Sequence, residues 1–121
     1  MVTVKRRQSQ AVFKAISDPT RRQILHMLRS GGRTVGHVAS NFRTSRPAIS
    51  KHLRLLRAAG LIRTRKHGTT RICELNARPL RDVHDWLLEY QAFWDENLRN
   101  LKQFVEENPR LRQTPTQLPL K

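Results

Sequence analysis

Apolar residues recur at three- and four-residue intervals through most of this chain, and short polar or glycine-containing breaks divide them into helices. Val12, Phe13 and Ile16 predict a short helix over about 9–16. Asp18-Pro19 is a start signal, because aspartate can cap free N–H groups and proline suits a first helical turn. Ile24, Leu25 and Leu28 then form one stripe, which Gly31-Gly32 ends. Thr34 opens a third helix, about 35–41, with Val35, Val38 and Ala39 facing in. After a tight turn from Phe42 to Thr44, Ser45 caps a fourth helix with Pro47 in its first turn. Ile49, Leu53, Leu56 and Ala59 follow at spacings of four, three and three, and Gly60 stops the run.

The period then changes. LIRTRKHGTTRICEL is β-branched and alternating, with Gly68 near its middle, and reads as a hairpin of about 61–66 and 70–75 around a basic tip. Helical spacing returns at Leu80, Val83, Leu87, Tyr90, Trp94, Leu98, Leu101 and Val105. It predicts one long helix over about 77–107, a rod of roughly 45 Å at 1.5 Å per residue. Such a rod outreaches a domain this small, so the pattern predicts a partner helix, with Leu80, Val83, Leu87, Tyr90, Trp94, Leu98 and Leu101 at a dimer interface. The expected organisation is a basic flexible arm at 1–8, a winged helix-turn-helix domain with its dimerisation helix at 9–107, and a Pro-rich disordered tail at 108–121.

Charge turns this outline into a functional reading. The net charge is +15, and its distribution matters more than its size. Residues 1–75 hold seventeen Lys and Arg against Asp18 and Glu74 alone, while residues 76–121 hold seven of each sign. A solubility charge would spread evenly; a block of one sign reads as a face for a polyanion. No apolar run has the ~20 residues needed to cross a bilayer, and the start, MVTVKRRQSQ, lacks the apolar region of a signal peptide. The single cysteine, Cys73, cannot form an internal disulfide, which fits a reducing cytoplasm. Double-stranded DNA is therefore the expected partner, beside a second copy of the chain.

Two short helices joined by a tight turn and followed by a basic hairpin make a winged helix-turn-helix, in a fold that is mainly α with a small β-hairpin. The major groove admits one α-helix, whose first turns approach the base edges. On the fourth helix the side opposite Ile49, Leu53 and Leu56 carries Ser45, Arg46, Pro47, Ser50, Lys51 and Arg54. Arg46 and Lys51 suit guanine O6 and N7. Ser45 and Ser50 suit bases or phosphates, Arg54 suits phosphate, and Pro47 suits a thymine methyl. The hairpin offers Arg63, Arg65, Lys66, His67, Thr69 and Arg71 to the backbone or minor groove. The bland alternative makes both sets solvated faces; the agreement of charge block, helix pair and hairpin argues against it. No nucleophile–base pair, carboxylate pair, Gly-rich phosphate loop or complete metal set points to an enzyme, and no cofactor is expected. The charge block also allows a sequence-neutral DNA-coating protein, which differs in predicting equal affinity for all duplexes.

SDPTRRQILHMLR, followed by TVGHVASNFRTSRPAISKHLRLLRAAGLIRTRKHGTTRICEL, closely resembles the ArsR-type winged-helix transcriptional repressors, and the resemblance extends over about 9–105. Within that family the chain is most similar to the SdpR-like, metal-independent subgroup with a Trp-rich last helix. The resemblance implies a dimeric cytoplasmic repressor with its recognition helix at Ser45–Ala59, its wing at Leu61–Leu75 and dimer contacts from the terminal helices. Many family members sense metals, and here the pattern fails. One site uses Cys-x-Cys at the start of the third helix, where this chain has Thr34 and Gly36. A second uses two pairs on the last helix. Asp82 and His84 match the first pair, but Asp95 and Leu98 stand at the second, and leucine cannot ligate. No complete metal site is indicated; an effector ligand at the dimer helices is possible but not indicated. Cys73 reads as a small buried hydrophobe on a strand, and His52 as a packed, hydrogen-bonded residue rather than a base reader.

Overall fold

The computed structural model describes the backbone of residues 2–113 and the side chains of 6–111. Helix α1 (Val2–Ile16) leads into α2 (Pro19–Met27), which a 3-10 turn at Leu28–Ser30 prolongs. A two-residue strand β1 (Arg33–Thr34) precedes α3 (Val35–Ser40) and α4 (Arg46–Ala58). The hairpin β2 (Ile62–His67) and β3 (Thr70–Leu75) follows, then α5 (Arg81–Leu88) and α6 (Gln91–Glu107). The chain divides into two compact units, 1–84 and 85–121.

The first unit is built by local signals that agree with its core. Asp18, Thr34 and Ser45 each cap a helix: their side-chain oxygens accept from the backbone N–H of Arg21, His37 and Ala48 at 3.0, 3.0 and 3.3 Å. Each uses one of the donors that a helix start leaves unpaired. Val12, Ile24, Leu28, Val38, Ile49, Leu53, Leu56, Leu61, Ile62 and Cys73 close into one buried cluster, against which Leu80 and Val83 also pack. The end of α4 is a paired-carbonyl stop. Gly60 N–H donates to Arg57 O at 2.9 Å and Leu61 N–H to Leu56 O at 3.0 Å, and Gly60 has φ +78°. That conformation favours glycine, and a Cβ there would also lie 3.2 Å from Gln8 Nε2.

Three expectations about elements need correction. The first helix starts at Val2 rather than near residue 9, so a helix runs through most of the predicted arm; nothing in VTVKRRQS breaks it. The hairpin has a third strand, in the order β1-β3-β2, with Arg33 opposite Cys73 and Thr34 opposite Ile72. Gly32 allows this approach, since a Cβ would lie 2.8 Å from Ile72 Cγ2. The single helix over 77–107 is broken. Arg78–Leu80 is a 3-10 turn, and Glu89 and Tyr90 separate α5 from α6. There Glu89 N–H bonds Trp86 O and Tyr90 N–H bonds Leu87 O, tightening the chain, and the Trp86 and Tyr90 rings meet edge to face at 5.4 Å. Apolar spacing survives so short a tightening, which is why the pattern looked continuous. Instead of 45 Å, α6 is a rod of roughly 25 Å. Of the predicted tail, Pro109–Gln113 is a 3-10 turn; residues 114–121 lie outside the described ones. Among the described residues no helix is long and apolar enough to cross a membrane.

Candidate nucleic-acid interface

Helix α4 separates its two jobs by angle. Ile49, Leu53 and Leu56 are buried, while Ser45, Arg46, Pro47, Lys51 and Arg54 are exposed and Ser50 is half-buried. The exposed side is itself two stripes. Arg46, Ser50, Arg54 and Arg57 follow one another at helical spacing and line a cleft facing the hairpin. Pro47 and Lys51 are not among its lining residues.

Strand register sorts the hairpin in the same way. Thr64 pairs with Cys73, Arg65 with Ile72 and Lys66 with Arg71, so alternate residues share a face. Lys66 and Arg71 share the face of Thr64 and buried Cys73. Arg63, Arg65 and His67 lie on the other, where Arg65 Nε donates to Glu74 Oε1 at 2.9 Å. The guanidinium expected to be free for a polyanion is thus already held by the only carboxylate between residues 19 and 81. Thr69, at the tip, and Arg71 line the cleft with Arg46, Ser50 and Arg54.

A buried arginine fixes α4 from behind, and the sequence reading missed it. Arg21 is 8% exposed. Its Nε donates to Ala15 O at 2.7 Å and its Nη2 to Lys14 O at 3.1 Å, satisfying carbonyls at the end of α1. Its Nη1 lies 3.1 Å from His52 Nδ1 on α4. A guanidinium can only donate, so this contact requires Nδ1 to be the bare ring nitrogen. Asp18 Oδ2 lies 3.9 Å from the same nitrogen. The backbone N–H of Arg21 holds the Asp18 carboxyl below its usual range, against an opposing push from burial. His52 is therefore a packed, hydrogen-bonded residue, as its position between apolar neighbours suggested. The DPTRR run reads as a cap followed by an anchor. Cys73 is fully buried, and burial pushes its thiol up, against an opposing pull from Arg57.

The family's metal positions do not fit a metal. Thr34 Oγ1 is engaged in capping α3, and Gly36 has no side chain. Leu98 has no donor atom, whatever Asp82, His84 and Asp95 offer.

The second unit carries the opposite kind of surface. Phe93, Trp94, Leu98, Leu101 and Phe104 are 45–65% exposed on α6. At 100° per residue they span an arc of roughly 140°, broader than the two-position seam of a coiled coil. Of the predicted interface residues, Leu80 and Val83 pack half-buried against the chain's own core, Leu87 is half-buried, and Tyr90, Trp94, Leu98 and Leu101 are exposed.

A capped helix pair, a strand-backed basic hairpin and a helix presenting arginines beside it define a winged helix-turn-helix, the fold of a transcriptional regulator rather than an enzyme. The family model described as "Bacterial regulatory protein, arsR family" matches residues 18–64. The transcriptional repressor SdpR of Bacillus subtilis is 42% identical over 87 residues, covering 72% of this chain and 97% of that protein. This chain belongs to the ArsR family. Among solved structures, an ArsR-like transcriptional regulator from a Rhodococcus species is 33% identical with a TM-score of 0.61, covering 81% of this chain and 92% of the other. The homodimeric winged helix-turn-helix DNA-binding domain of a possible ArsR-family regulator from Mycobacterium bovis is 29% identical with a TM-score of 0.55, covering 77% and 83%.

Proposed function

We propose that this protein is a homodimeric, sequence-specific repressor that binds an inverted-repeat operator in double-stranded DNA, in the bacterial cytoplasm and at the nucleoid. The observation that carries the reading is α4 itself. A well-capped helix, locked from behind by Arg21, offers Arg46, Pro47, Ser50, Lys51 and Arg54 at its first turns beside a cationic hairpin. First turns are where a recognition helix meets base edges. Arg46 and Lys51 read bases, Ser45 and Ser50 assist, and Arg54, Lys66, Thr69 and Arg71 hold the backbone. Arg63, Arg65 and His67 contribute at most long-range attraction, because they occupy the other hairpin face.

A second copy of the chain covers the apolar arc of α6. Exposed apolar surface of this breadth marks an interface, and the Mycobacterium bovis relative is homodimeric. Two-fold symmetry then sets half-sites about 34–36 Å apart or a multiple of that. Occupancy of the promoter excludes polymerase, in line with the repressor to which the chain is 42% identical. Metal does not switch the protein through the family's known sites, since Thr34 offers no thiolate and commits its hydroxyl to the cap of α3, and Gly36 and Leu98 have no donor atom.

Selection of bound sequences from a random duplex pool at physiological salt tests the core of this reading. It is expected to return an inverted repeat. Tight binding with no motif overturns base reading in favour of a DNA-coating protein. Arg46→Ala is expected to cost about 1–3 kcal/mol and to relax preference at one position of each half-site; an unchanged preferred sequence removes Arg46 from the base-reading set.

A further inference from the structure

The cleft between α4 and the hairpin has a volume of about 560 Å³ and is lined by the guanidinium residues Arg46, Arg54, Arg57 and Arg71. Hydroxyl residues Ser50, Thr64, Thr69 and Thr70 alternate with them, and Leu53 and Cys73 form an apolar floor. No lining residue is acidic. Among the described residues, no ion pair or hydrogen bond uses the side chains of these four arginines, unlike Arg65 and Arg21. Arg46 reaches toward α3, its Nη2 lying 3.9 Å from where a Cβ on Gly36 would stand. Arg57 is the last of the stripe. It is a full turn beyond Arg54, toward the closed end of α4, and is near enough to the buried Cys73 to act on its thiol. Base edges are approached from the first turns of a recognition helix, so Arg57 is out of place as a reader. Four like charges around one concavity repel one another, and a dianion among them reverses the sign of that interaction. Forked guanidinium donors with interleaved hydroxyls match the oxygens of a phosphate.

We propose that this cleft is a phosphate-binding site with Arg57 as its inner anchor. The phosphate group comes either from the DNA backbone, threaded between recognition helix and wing, or from a free phosphorylated compound that competes with DNA for Arg46, Arg54 and Arg71. The first source rests on the DNA-binding reading above; the second does not.

The test uses the full chain, with Arg57→Ala, Arg57→Lys and, as a charge-matched control on α6, Arg99→Ala. Arg57 is exposed and outside the core, so these variants are expected to melt with the parent. Pyrophosphate is titrated calorimetrically at constant ionic strength, and duplex affinity is measured against salt. Saturable pyrophosphate binding, one per chain, weakened at least about tenfold by Arg57→Ala, largely restored by Arg57→Lys and untouched by Arg99→Ala, supports the site with a free compound as occupant. A salt slope shallower by about 0.9 per chain, about 1.8 for the bound dimer, in Arg57→Ala than in the parent and Arg99→Ala, with no saturable pyrophosphate binding, supports it with the backbone as occupant. If Arg57→Ala matches Arg99→Ala in both measurements, the proposal is overturned. If the parent binds no duplex at all, the DNA-binding reading fails, and the pyrophosphate titration alone decides the cleft.

Discussion

Helices α4 and α6 follow the same rule of apolar spacing and use it in opposite directions. In α4 the apolar stripe of Ile49, Leu53 and Leu56 closes the chain's own core, and the charged stripe is left for a partner. In α6 the apolar stripe itself is exposed, from Phe93 to Phe104, and the flanking charges are of both signs, with Asp95, Glu96, Glu106 and Glu107 against Arg99 and Lys102. A periodic pattern therefore says that a face is to be covered, not by what. Charge distinguishes the two cases: the unit that covers its own apolar face carries all of the excess positive charge, and the unit that does not is close to neutral. Dense like charge on a self-burying surface would hinder pairing of two copies, and its absence from 85–121 leaves the proposed dimer face free of that repulsion.

The contrast can be broken most strongly on the α6 side. Leu98→Asp places a charge in the middle of the exposed stripe. It is expected to give a monomer by sedimentation and to lower operator affinity about 100-fold or more, because the second half-site is no longer tethered. Circular dichroism of the first unit's helices is expected to persist; a dimer that survives the change would move the interface elsewhere. On the α4 side the corresponding cut is Leu56→Ala, which removes a side chain with no exposure. It is expected to cost about 2–5 kcal/mol in denaturant unfolding without changing the association state of the folded fraction. The two variants together test whether identical spacing serves different ends.

Arg21→Met sharpens the same comparison from inside the first unit. It strands the Ala15 and Lys14 carbonyls and frees His52. A loss of about 3 kcal/mol is expected, with weakened duplex binding even where the protein remains folded, since α4 loses its rear anchor. Wild-type affinity in folded Arg21→Met would reduce the arginine to a stability role. The smallest effect is at the α2 cap. Asp18→Ala is expected to cost about 1 kcal/mol at neutral pH. The folded carboxyl is held below its usual range, so its contribution is present above the unfolded value of roughly 3.9 and is lost as pH falls through the lower folded value. Melting curves of parent and Asp18→Ala should therefore converge toward acid pH. A constant gap would assign the loss to helix propensity rather than to the charged cap.

Those experiments also mark which parts of the molecule were readable in advance. The caps at Asp18, Thr34 and Ser45, the stop at Gly60 and the core stripe of α4 were legible, because each is written within four or five consecutive residues. The burial of Arg21 was not: nothing near it in sequence distinguishes it from exposed Arg22, and its partner His52 is thirty-one residues away. Strand β1 was too short to show a period. The division of the hairpin's cations required register, since a slip of one residue exchanges the faces, and only the observed pairing of β2 with β3 puts Lys66 beside Arg71 and Arg65 on the face of Glu74. The broken terminal helix escaped because neither Glu89 nor Tyr90 is a helix breaker. Arg57 could have been found by extending the Arg46, Ser50, Arg54 spacing one more turn.

The junction of α4 with β2 has a mechanical consequence. Three residues, Ala59 to Leu61, separate the helix from the strand. They are fastened by the Gly60 and Leu61 amides, by Asn76 N–H to Leu61 O at 2.8 Å and by Asn76 Nδ2 to Gly60 O at 2.7 Å. There is no slack at this joint. Helix α4 and the hairpin turn as one stiff body, a caliper whose jaw width is set when the chain folds. An inserted residue at the hairpin tip, Gly68–Thr69, lengthens one jaw and is absorbed there, whereas an inserted residue at Gly60 resets the gap between both jaws and takes the whole grip with it.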